Sequence, residues 1–213
     1  RLAAHAGTRP PVTPVRARTY GDLRERVTHL VDTMERPPVV GICGHGGAGK
    51  STLAQRLMTD IGGKPEQVVS TDRFYAPGAG PESGLFDLHD WLALCDLLRR
   101  VRAIPVPQRL VYPVRTYEGI ERTVDGAMPP AVVVEGIRLI RPKTMPLFDV
   151  AVWIDLSPET AGSRAMERNH RQGDSLVEID LWRTKWIPEG HAYAKVIGPE
   201  RLAHVVLDAA GVT

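Results

Sequence analysis

The stretch GHGGAGKS, residues 44–51, decides the fold of this chain. It fits the pattern G-x-x-x-x-G-K-[ST], whose fixed positions are Gly44, Gly49, Lys50 and Ser51. A valine-rich run at 39–43 precedes it, and the apolar-periodic segment STLAQRLM follows it. A strand, a glycine-rich loop and a helix in this order form a phosphate-binding loop, because the amides and the dipole at the start of the helix attract phosphate. The alternative is a chance glycine-rich turn, and the predicted strand before the loop and helix after it argue against this alternative.

The loop predicts ATP and Mg²⁺ as cofactors. The Lys50 ammonium is expected against the β and γ phosphates, and the Ser51 hydroxyl on the metal. The positions assigned to nucleotide binding in the loop are Gly44, Gly46, Gly47, Ala48, Gly49, Lys50, Ser51 and Thr52. His45, at a free position of the loop, is interpreted as a solvent-facing spacer, and Cys43 as a small core residue.

Around the loop, the chain alternates short apolar runs with helical patterns. Valine-rich runs predict buried strands at 39–43, 68–70, 131–134, 150–154 and 205–207. Helical apolar spacing recurs at 20–34, 50–58, 90–101 and 160–171. Strands that alternate with helices build a parallel sheet covered on both faces. We therefore predict an α/β fold of the P-loop NTPase type, with a five-stranded parallel sheet, helices on both faces, a small β insertion and a helical lid.

Length and composition favour one domain. A chain of 213 residues with 43% hydrophobic composition can bury one full core. We predict a flexible N-terminal tail over residues 1–18, where charges and prolines recur, and a single P-loop domain over 19–213. Within this domain, short β-like pieces at 104–124 interrupt the alternation and predict a hairpin-like insertion on the acceptor side, and 160–176 is assigned to the lid.

Net charge and cysteine content argue against several kinds of partner. A formal net charge of +2, from 27 basic and 25 acidic residues, gives no general attraction to nucleic acid or to a membrane surface. Cys43 and Cys95 are too few for a disulfide framework, and no run approaches the roughly 20 apolar residues of a membrane span. We expect a cytoplasmic protein whose partners are small molecules; a homo-oligomer is compatible with the sequence.

Asp72, in STDRFY, follows the second predicted strand. It falls at the carboxyl edge of the sheet, where open α/β folds bind ligands. A carboxylate there can orient an acceptor hydroxyl and receive its proton as the oxygen attacks the γ-phosphate. A loop aspartate that caps a turn is the alternative.

The motifs of the chain, taken in order, resemble those of the uridine kinase family, which also includes phosphoribulokinase and bacterial pantothenate kinase relatives. The resemblance covers residues 39 to about 208 and runs through GHGGAGKST, STDRFY, FDLHDWLALCDLL, VYPVRTYEGIERTV, VVVEGI and LAHVVLDAAG. It implies an ATP-dependent kinase that moves the γ-phosphoryl group to a primary hydroxyl of a nucleoside or nucleoside-like molecule.

The resemblance also implies roles for single residues. Asp72 is similar to the family's catalytic base, and Glu135, which ends the run AVVV, to the second acidic group near Mg²⁺. The residues assigned to the acceptor outside the lid are Asp72, Tyr75, Asp87, Tyr112 and Tyr117. Asp87, in FDLHD, is similar to the family aspartate that binds the ribose hydroxyls of the acceptor. A packing role for Tyr112 is an equal alternative, and Asp90 is interpreted as the N-cap of the following helix.

Three arginines in SRAMERNHRQGD are spaced to share one helical face, as in the lid of the family: Arg164, Arg168 and Arg171. Guanidinium groups there can fold over the triphosphate and neutralise charge that develops during transfer. We assign Arg164 and Arg168 to the nucleotide, Arg168 also to catalysis beside Lys50, and Arg171 to the acceptor. A solvated basic face is the alternative.

The chain departs from the family at three positions. Tyr117 stands where nucleoside-specific members carry a base-contacting histidine, Ala161 where an arginine is frequent, and His204 where an aspartate is frequent. The acceptor therefore stays open between a nucleoside, pantothenate, a sugar phosphate and a nucleoside-like antibiotic. A nucleotide-dependent switch without an acceptor is the rival class. Its guanine-reading N-K-x-D form is excluded, because Asn169 is the only asparagine and no lysine follows it.

Overall fold

A five-stranded parallel sheet forms the centre of the protein. The computed structural model describes residues 19–103 and 105–209; the tail predicted at 1–18 lies outside them. The strands are β1 (Val39–Cys43), β2 (Val69–Ser70), β3 (Arg109–Arg115), β4 (Glu121–Ala127), β5 (Val132–Gly136), β6 (Val150–Asp155) and β7 (Val205–Asp208). In the large sheet the order is β2-β5-β1-β6-β7, and all neighbours are parallel. The predicted α/β fold is confirmed.

Helices cover both faces of this sheet. They are α1 (Tyr20–Thr33), α2 (Lys50–Asp60), α3 (Trp91–Val101), α4 (Pro158–Gln172), α5 (Leu176–Leu181), α6 (Ile187–Ile197) and α7 (Pro199–Leu202), with a π-helical turn at Trp182–Trp186. The N-cap assignment of Asp90 is confirmed, because its carboxylate accepts a hydrogen bond from the amide of Ala93 at 2.9 Å. None of the helices in the described part of the chain is both long and apolar enough to cross a membrane.

The alternation of side chains along the strands divides the core into two layers. Val40 and Ile42 of β1 point to the layer that contains α1 and α2. Val39 and Cys43 point to the opposite layer, which contains α3 and β3. Successive side chains of a strand face opposite sides of a sheet, so a fully apolar strand must be buried on both. Cys43 is a buried core residue, as expected.

The insertion is an antiparallel hairpin of β3 and β4, separate from the large sheet. It extends to Ala127, three residues past the predicted end at 124. The helices α5, α6 and α7 were not predicted. Their boundaries do carry sequence signals: the capping box Ser175 to Glu178 at the start of α5, and Pro188 and Gly198 near the two ends of α6.

Candidate active site

A cleft of about 460 Å³ opens at the carboxyl edge of the sheet. β1 runs directly into the glycine-rich loop, β5 ends beside it, and the turn after β2 lies at the same edge. The cleft is lined by these residues singled out in the sequence: Gly44, Gly46, Gly47, Gly49, Lys50, Ser51, Thr52, Asp72, Tyr75, Glu135, Arg164 and Arg168. Residues separated by more than 100 positions thus converge on one space.

The glycine-rich loop packs tightly against the segment that carries the arginines. Gly47 has a φ of +88°, and a side chain there would overlap the carbonyl oxygen of Ala161. Ala161, one of the three positions at which the chain departs from the resemblance, is fully buried. Ala48 does not line the cleft: its side chain is in the core, and its amide donates to the carbonyl of His45 at 3.0 Å.

Lys50, Ser51 and Glu135 form the polar floor of the cleft. The Lys50 ammonium is buried and donates to the His45 carbonyl at 2.9 Å. Burial raises the pKa of Glu135, while the charge of Lys50 and hydrogen bonds with Ser70 and Ser51 act in the opposite direction. Within residues 19–103 and 105–209, no cluster of three or more His, Cys, Asp or Glu side chains could hold a metal by itself.

This donor set fits Mg²⁺ bound with a nucleotide. Mg²⁺ prefers oxygen ligands and is usually held by one or two carboxylates together with substrate phosphates and water. The Ser51 hydroxyl and the buried Glu135 carboxylate interact with each other at the cleft floor. They can supply the protein's share of such a site.

Asp72 lies in a short 3₁₀ turn, Thr71–Arg73, and extends its carboxylate into the cleft. Its side chain is 67% exposed, and Oδ1 lies 3.6 Å from Nε2 of His89. Desolvation acts to raise the pKa of Asp72, but the interaction with His89 and the charges of Lys50 and Arg168 outweigh it and hold the pKa below its usual range. The carboxylate is therefore ionised at neutral pH.

The three arginines that the sequence assigned to a lid do not share one environment. Arg164 and Arg168 line the cleft, and Arg168 also donates to the side-chain oxygen of Asn169 at 3.0 Å. Arg171 does not line the cleft. Its side chain is 71% exposed and lies 3.7 Å from Glu167 in an i, i+4 ion pair. For Arg171 the structure favours the solvated face that the sequence left as an alternative.

The residues assigned to the acceptor also lie in different environments. Tyr75 lines the cleft, and Tyr117, in the turn of the hairpin, contacts its ring edge-on at 5.2 Å. Asp87 is exposed and does not line the cleft in this structure. Tyr112 is 2% exposed and stacks on Phe74 at 5.5 Å, as a packing tyrosine would.

Several residues of the cleft were not assigned to it from the sequence. They are His45, Leu88, Gly136, Ile137, Arg138, Trp182, Trp186, Gly190 and Tyr193. The expectation that His45 faces solvent is wrong: it is buried, and its ring contacts Trp153 edge-on at 5.1 Å. Burial, followed by the charges of Lys50 and His191, lowers the pKa of His45 to about 4.

Arg138, Trp182 and Trp186 line a side of the cleft that the sequence did not assign, and Trp182 packs directly against the glycine-rich loop. Arg138 is buried, has a φ of +58°, and donates to the carbonyl of Leu85 at 2.7 Å and to the Glu189 carboxylate. A side chain at Gly46 would meet the ring of Trp182. No spacing in the sequence identifies these contacts, because each of them joins residues more than 40 positions apart.

The chain is similar in sequence to bacterial proteins named uridine kinase. It is 24% identical over 187 residues to the one from Limosilactobacillus reuteri (strain DSM 20016), covering 78% of this chain and 84% of the relative. It is 23% identical over 185 residues to the one from Clostridium botulinum (strain Langeland / NCTC 10281 / Type F), covering 78% and 90%. No protein-family model matches the chain.

Two solved structures share the fold. A candidate fructose transport system kinase from Silicibacter sp. TM1040 superposes with a TM-score of 0.70 at 18% identity, covering 89% of this chain and 99% of that one. A candidate uridine kinase from Bacillus stearothermophilus superposes with a TM-score of 0.55 at 22% identity, covering 88% and 100%. The resemblance to the uridine kinase family is confirmed, and the relatives support the class of small-molecule kinase.

Proposed function

We propose that this chain is an ATP-dependent kinase that transfers the γ-phosphoryl group to a primary hydroxyl of a nucleoside or nucleoside-like molecule. The observation that carries the proposal is that an ionised Asp72 extends into the cleft lined by the glycine-rich loop, Lys50 and Arg168. A switch that only hydrolyses nucleotide needs no such carboxylate on the acceptor side. The names of the relatives support a nucleoside as the leading acceptor.

The nucleotide would lie with its phosphates on the loop amides and the start of α2. Lys50, which donates to the carbonyl of His45, would turn its ammonium to the β and γ phosphates. Ser51 and Glu135 would hold Mg²⁺, which when bound neutralises phosphate charge during transfer.

Asp72 would act on the acceptor. The hydroxyl oxygen of the acceptor forms a bond to the γ-phosphorus as the bond to the β,γ-bridging oxygen breaks, and ADP leaves. The hydroxyl proton passes to the Asp72 carboxylate. Arg164 and Arg168 of α4 would neutralise charge on the phosphoryl group, and the segment 160–176 would close over it as a lid within a single domain.

The side chains around the cleft suit more than one kind of acceptor. Tyr75 and Tyr117 offer aromatic surface beside the cleft, which suits a ring, whereas Asp87 would reach a ribose hydroxyl only if the loop around it moved toward the cleft. The structural likeness to a candidate fructose transport system kinase adds sugars to the acceptors worth testing, beside pantothenate, sugar phosphates and nucleoside-like antibiotics.

The test is acceptor-dependent release of ADP by the purified protein, across nucleosides, sugars, sugar phosphates and pantothenate. We expect a nucleoside to stimulate turnover. Lys50→Ala should abolish it, and Asp72→Asn should lower kcat by about 10²–10⁴, the usual contribution of a general base. Asp96→Asn on α3, an exposed aspartate paired with Arg100, is the matched control and should leave kcat unchanged.

Two results would contradict the proposal. ATP hydrolysis that no acceptor accelerates would favour the switch. Transfer by Asp72→Asn at the parent rate in a single turnover, where product release cannot hide the chemical step, would mean that another group accepts the proton.

A further inference from the structure

His89 is a buried histidine with an unsatisfied ring nitrogen. Its side chain is 1% exposed, and in the part of the chain that the structure describes no group lies within hydrogen-bonding distance of Nε2. A buried polar atom left without a partner costs about 1–3 kcal/mol, so such an atom in a folded protein needs an explanation. Oδ1 of Asp72 lies 3.6 Å from it, just beyond a hydrogen bond.

The backbone fixes His89 beside Asp72. The residue pairs with Tyr75 in an isolated antiparallel bridge. On either side of this bridge, the amide of Ala76 donates to the carbonyl of Leu88 at 3.0 Å and the amide of Asp90 donates to the carbonyl of Phe74 at 2.6 Å. Because both flanks are held, His89 cannot slide along the segment that follows Asp72.

Aromatic neighbours fix the ring as well. The imidazole stacks on Tyr75, with 5.2 Å between ring centroids and 23° between planes, and contacts Trp91 edge-on at 5.3 Å. Trp91 is itself held, since its indole N–H donates to the carbonyl of Phe86 at 2.8 Å and the guanidinium of Arg141 lies 3.9 Å over its ring. The nitrogen that faces Asp72 is therefore presented in one orientation.

We propose that His89 is a positioning residue for Asp72: its Nε2–H donates a hydrogen bond to Oδ1, which leaves the other carboxylate oxygen to receive the proton of the acceptor hydroxyl. This inference rests on the proposed function. An ionised carboxylate can accept hydrogen bonds but cannot donate them, so the imidazole must be the donor. It can donate whenever Nε2 carries a hydrogen, in the neutral or in the charged ring. No proton leaves His89 in the reaction.

A hydrogen bond from His89 would hold the Asp72 carboxylate in one orientation. Asp72 is 67% exposed, and an exposed carboxylate rotates freely unless a partner holds it. Catalytic bases are often oriented by a third group, and catalytic hydrogen bonds are often long in ligand-free structures and shorten when substrate binds. The low pKa of Asp72, to which the interaction with His89 contributes, agrees with this arrangement.

A pair of substitutions separates positioning from packing. His89→Phe keeps a ring that can stack on Tyr75 but removes the donor, whereas His89→Gln keeps an N–H donor at the position of Nε2. We expect His89→Phe to lower kcat by about 10–100-fold, the usual effect of losing a group that orients a functional ligand, with the KM for ATP little changed. His89→Gln should recover most of the loss. His29→Phe, on the exposed side of α1, is the matched control.

A double substitution tests whether His89 acts through Asp72. In the Asp72→Asn background, His89→Phe should cost less than about 2-fold in kcat, because residues that act as a unit are not additive. Three results would overturn the positioning role. They are equal losses of kcat in His89→Phe and His89→Gln, an effect of His89→Phe on KM alone, and full additivity of His89→Phe with Asp72→Asn.

Nuclear magnetic resonance of protein labelled with ¹⁵N-histidine gives a readout that does not depend on turnover. The imidazole signal that is absent from His89→Gln identifies His89 among the seven histidines. We expect it to carry its proton on Nε2 and to shift in Asp72→Asn. A bare Nε2, or a signal that Asp72→Asn leaves unchanged, would overturn the inference even where kinase activity is present. Absence of acceptor-dependent turnover in the parent would instead refute the proposed function.

Discussion

At the scale of single residues, His45 links the glycine-rich loop to the core. Its ring is buried against Trp153, and its carbonyl accepts from the Lys50 ammonium. Burial favours the neutral imidazole, so the pKa of His45 falls from 6.5 to about 4. Above pH 6.5 the residue is neutral in both the folded and the unfolded chain. Between pH 6.5 and about 4 the unfolded chain binds a proton that the folded chain does not, and stability falls as the pH falls.

We therefore predict that His45 makes the protein acid-sensitive. With about 1.4 kcal/mol for each unit of pKa, the parent should lose up to roughly 3 kcal/mol of unfolding free energy from this residue between pH 7 and 4. His45→Gln removes the titration, so the gap between parent and variant should change by that amount in urea denaturation at pH 7, 5.5 and 4.5. His29→Gln, at an exposed position, is the control. Parallel loss of stability in parent and His45→Gln would contradict the prediction.

At the scale of elements, Asp149 ties three segments together at the edge where β1 begins. Its carboxylate accepts from both terminal nitrogens of Arg36, from Arg102 just after α3, and from the amide of Val39, each at 2.8 Å. Its side chain is only 14% exposed. A bidentate, partly buried carboxylate with charged partners is held much more strongly than a surface pair.

Asp149→Asn should therefore destabilise the fold by about 2–4 kcal/mol, because two guanidinium groups lose their partly buried counter-charge. The control is Asp125→Asn in β4, whose ion pair with Arg109 is 53–60% exposed. That change should cost less than about 1 kcal/mol, as exposed pairs do. The measurement is urea denaturation of both variants at pH 7. Similar losses of unfolding free energy in the two variants would show that the ion pairs of Asp149 stabilise the fold no more than an exposed pair does.

At the scale of the whole molecule, the helices from α4 to α6 form a unit that contacts the glycine-rich loop. α4 packs on Gly47, the Trp182 ring lies over Gly46, and a side chain at Gly162 of α4 would overlap Ile187 of α6. We therefore expect binding at the loop to affect this unit, because closely packed parts of a protein transmit strain to each other.

We predict that an ATP analogue with Mg²⁺ slows hydrogen exchange across 158–186, because ligand contacts with Arg164 and Arg168 hold α4 in place. α1, which does not line the cleft, should show little change and serves as the internal reference. Exchange in 158–186 that is unaffected at saturating analogue would contradict the moving-lid proposal. Protection confined to the loop at 44–51 would do the same.

The sequence by itself determined the phosphate-binding loop, the five parallel strands, the N-cap at Asp90 and the residues that approach one edge of the sheet. These follow from local spacing: a motif of eight positions, apolar runs of strand length, and the rule that parallel strands end at the same edge. Each depends on neighbours in the chain, which are visible in the sequence.

Only the tertiary structure decided which of these side chains share the cleft. It separated Arg168 from Arg171, placed Tyr112 in the core, and brought His89 to Asp72 and Trp182 to the loop. Helical spacing predicts which residues share a face but not which residues that face contacts. Nor does the sequence distinguish a tyrosine that packs in the core from one that binds a ligand. Such contacts join residues far apart in the chain, and their geometry is set by how whole helices and strands pack together.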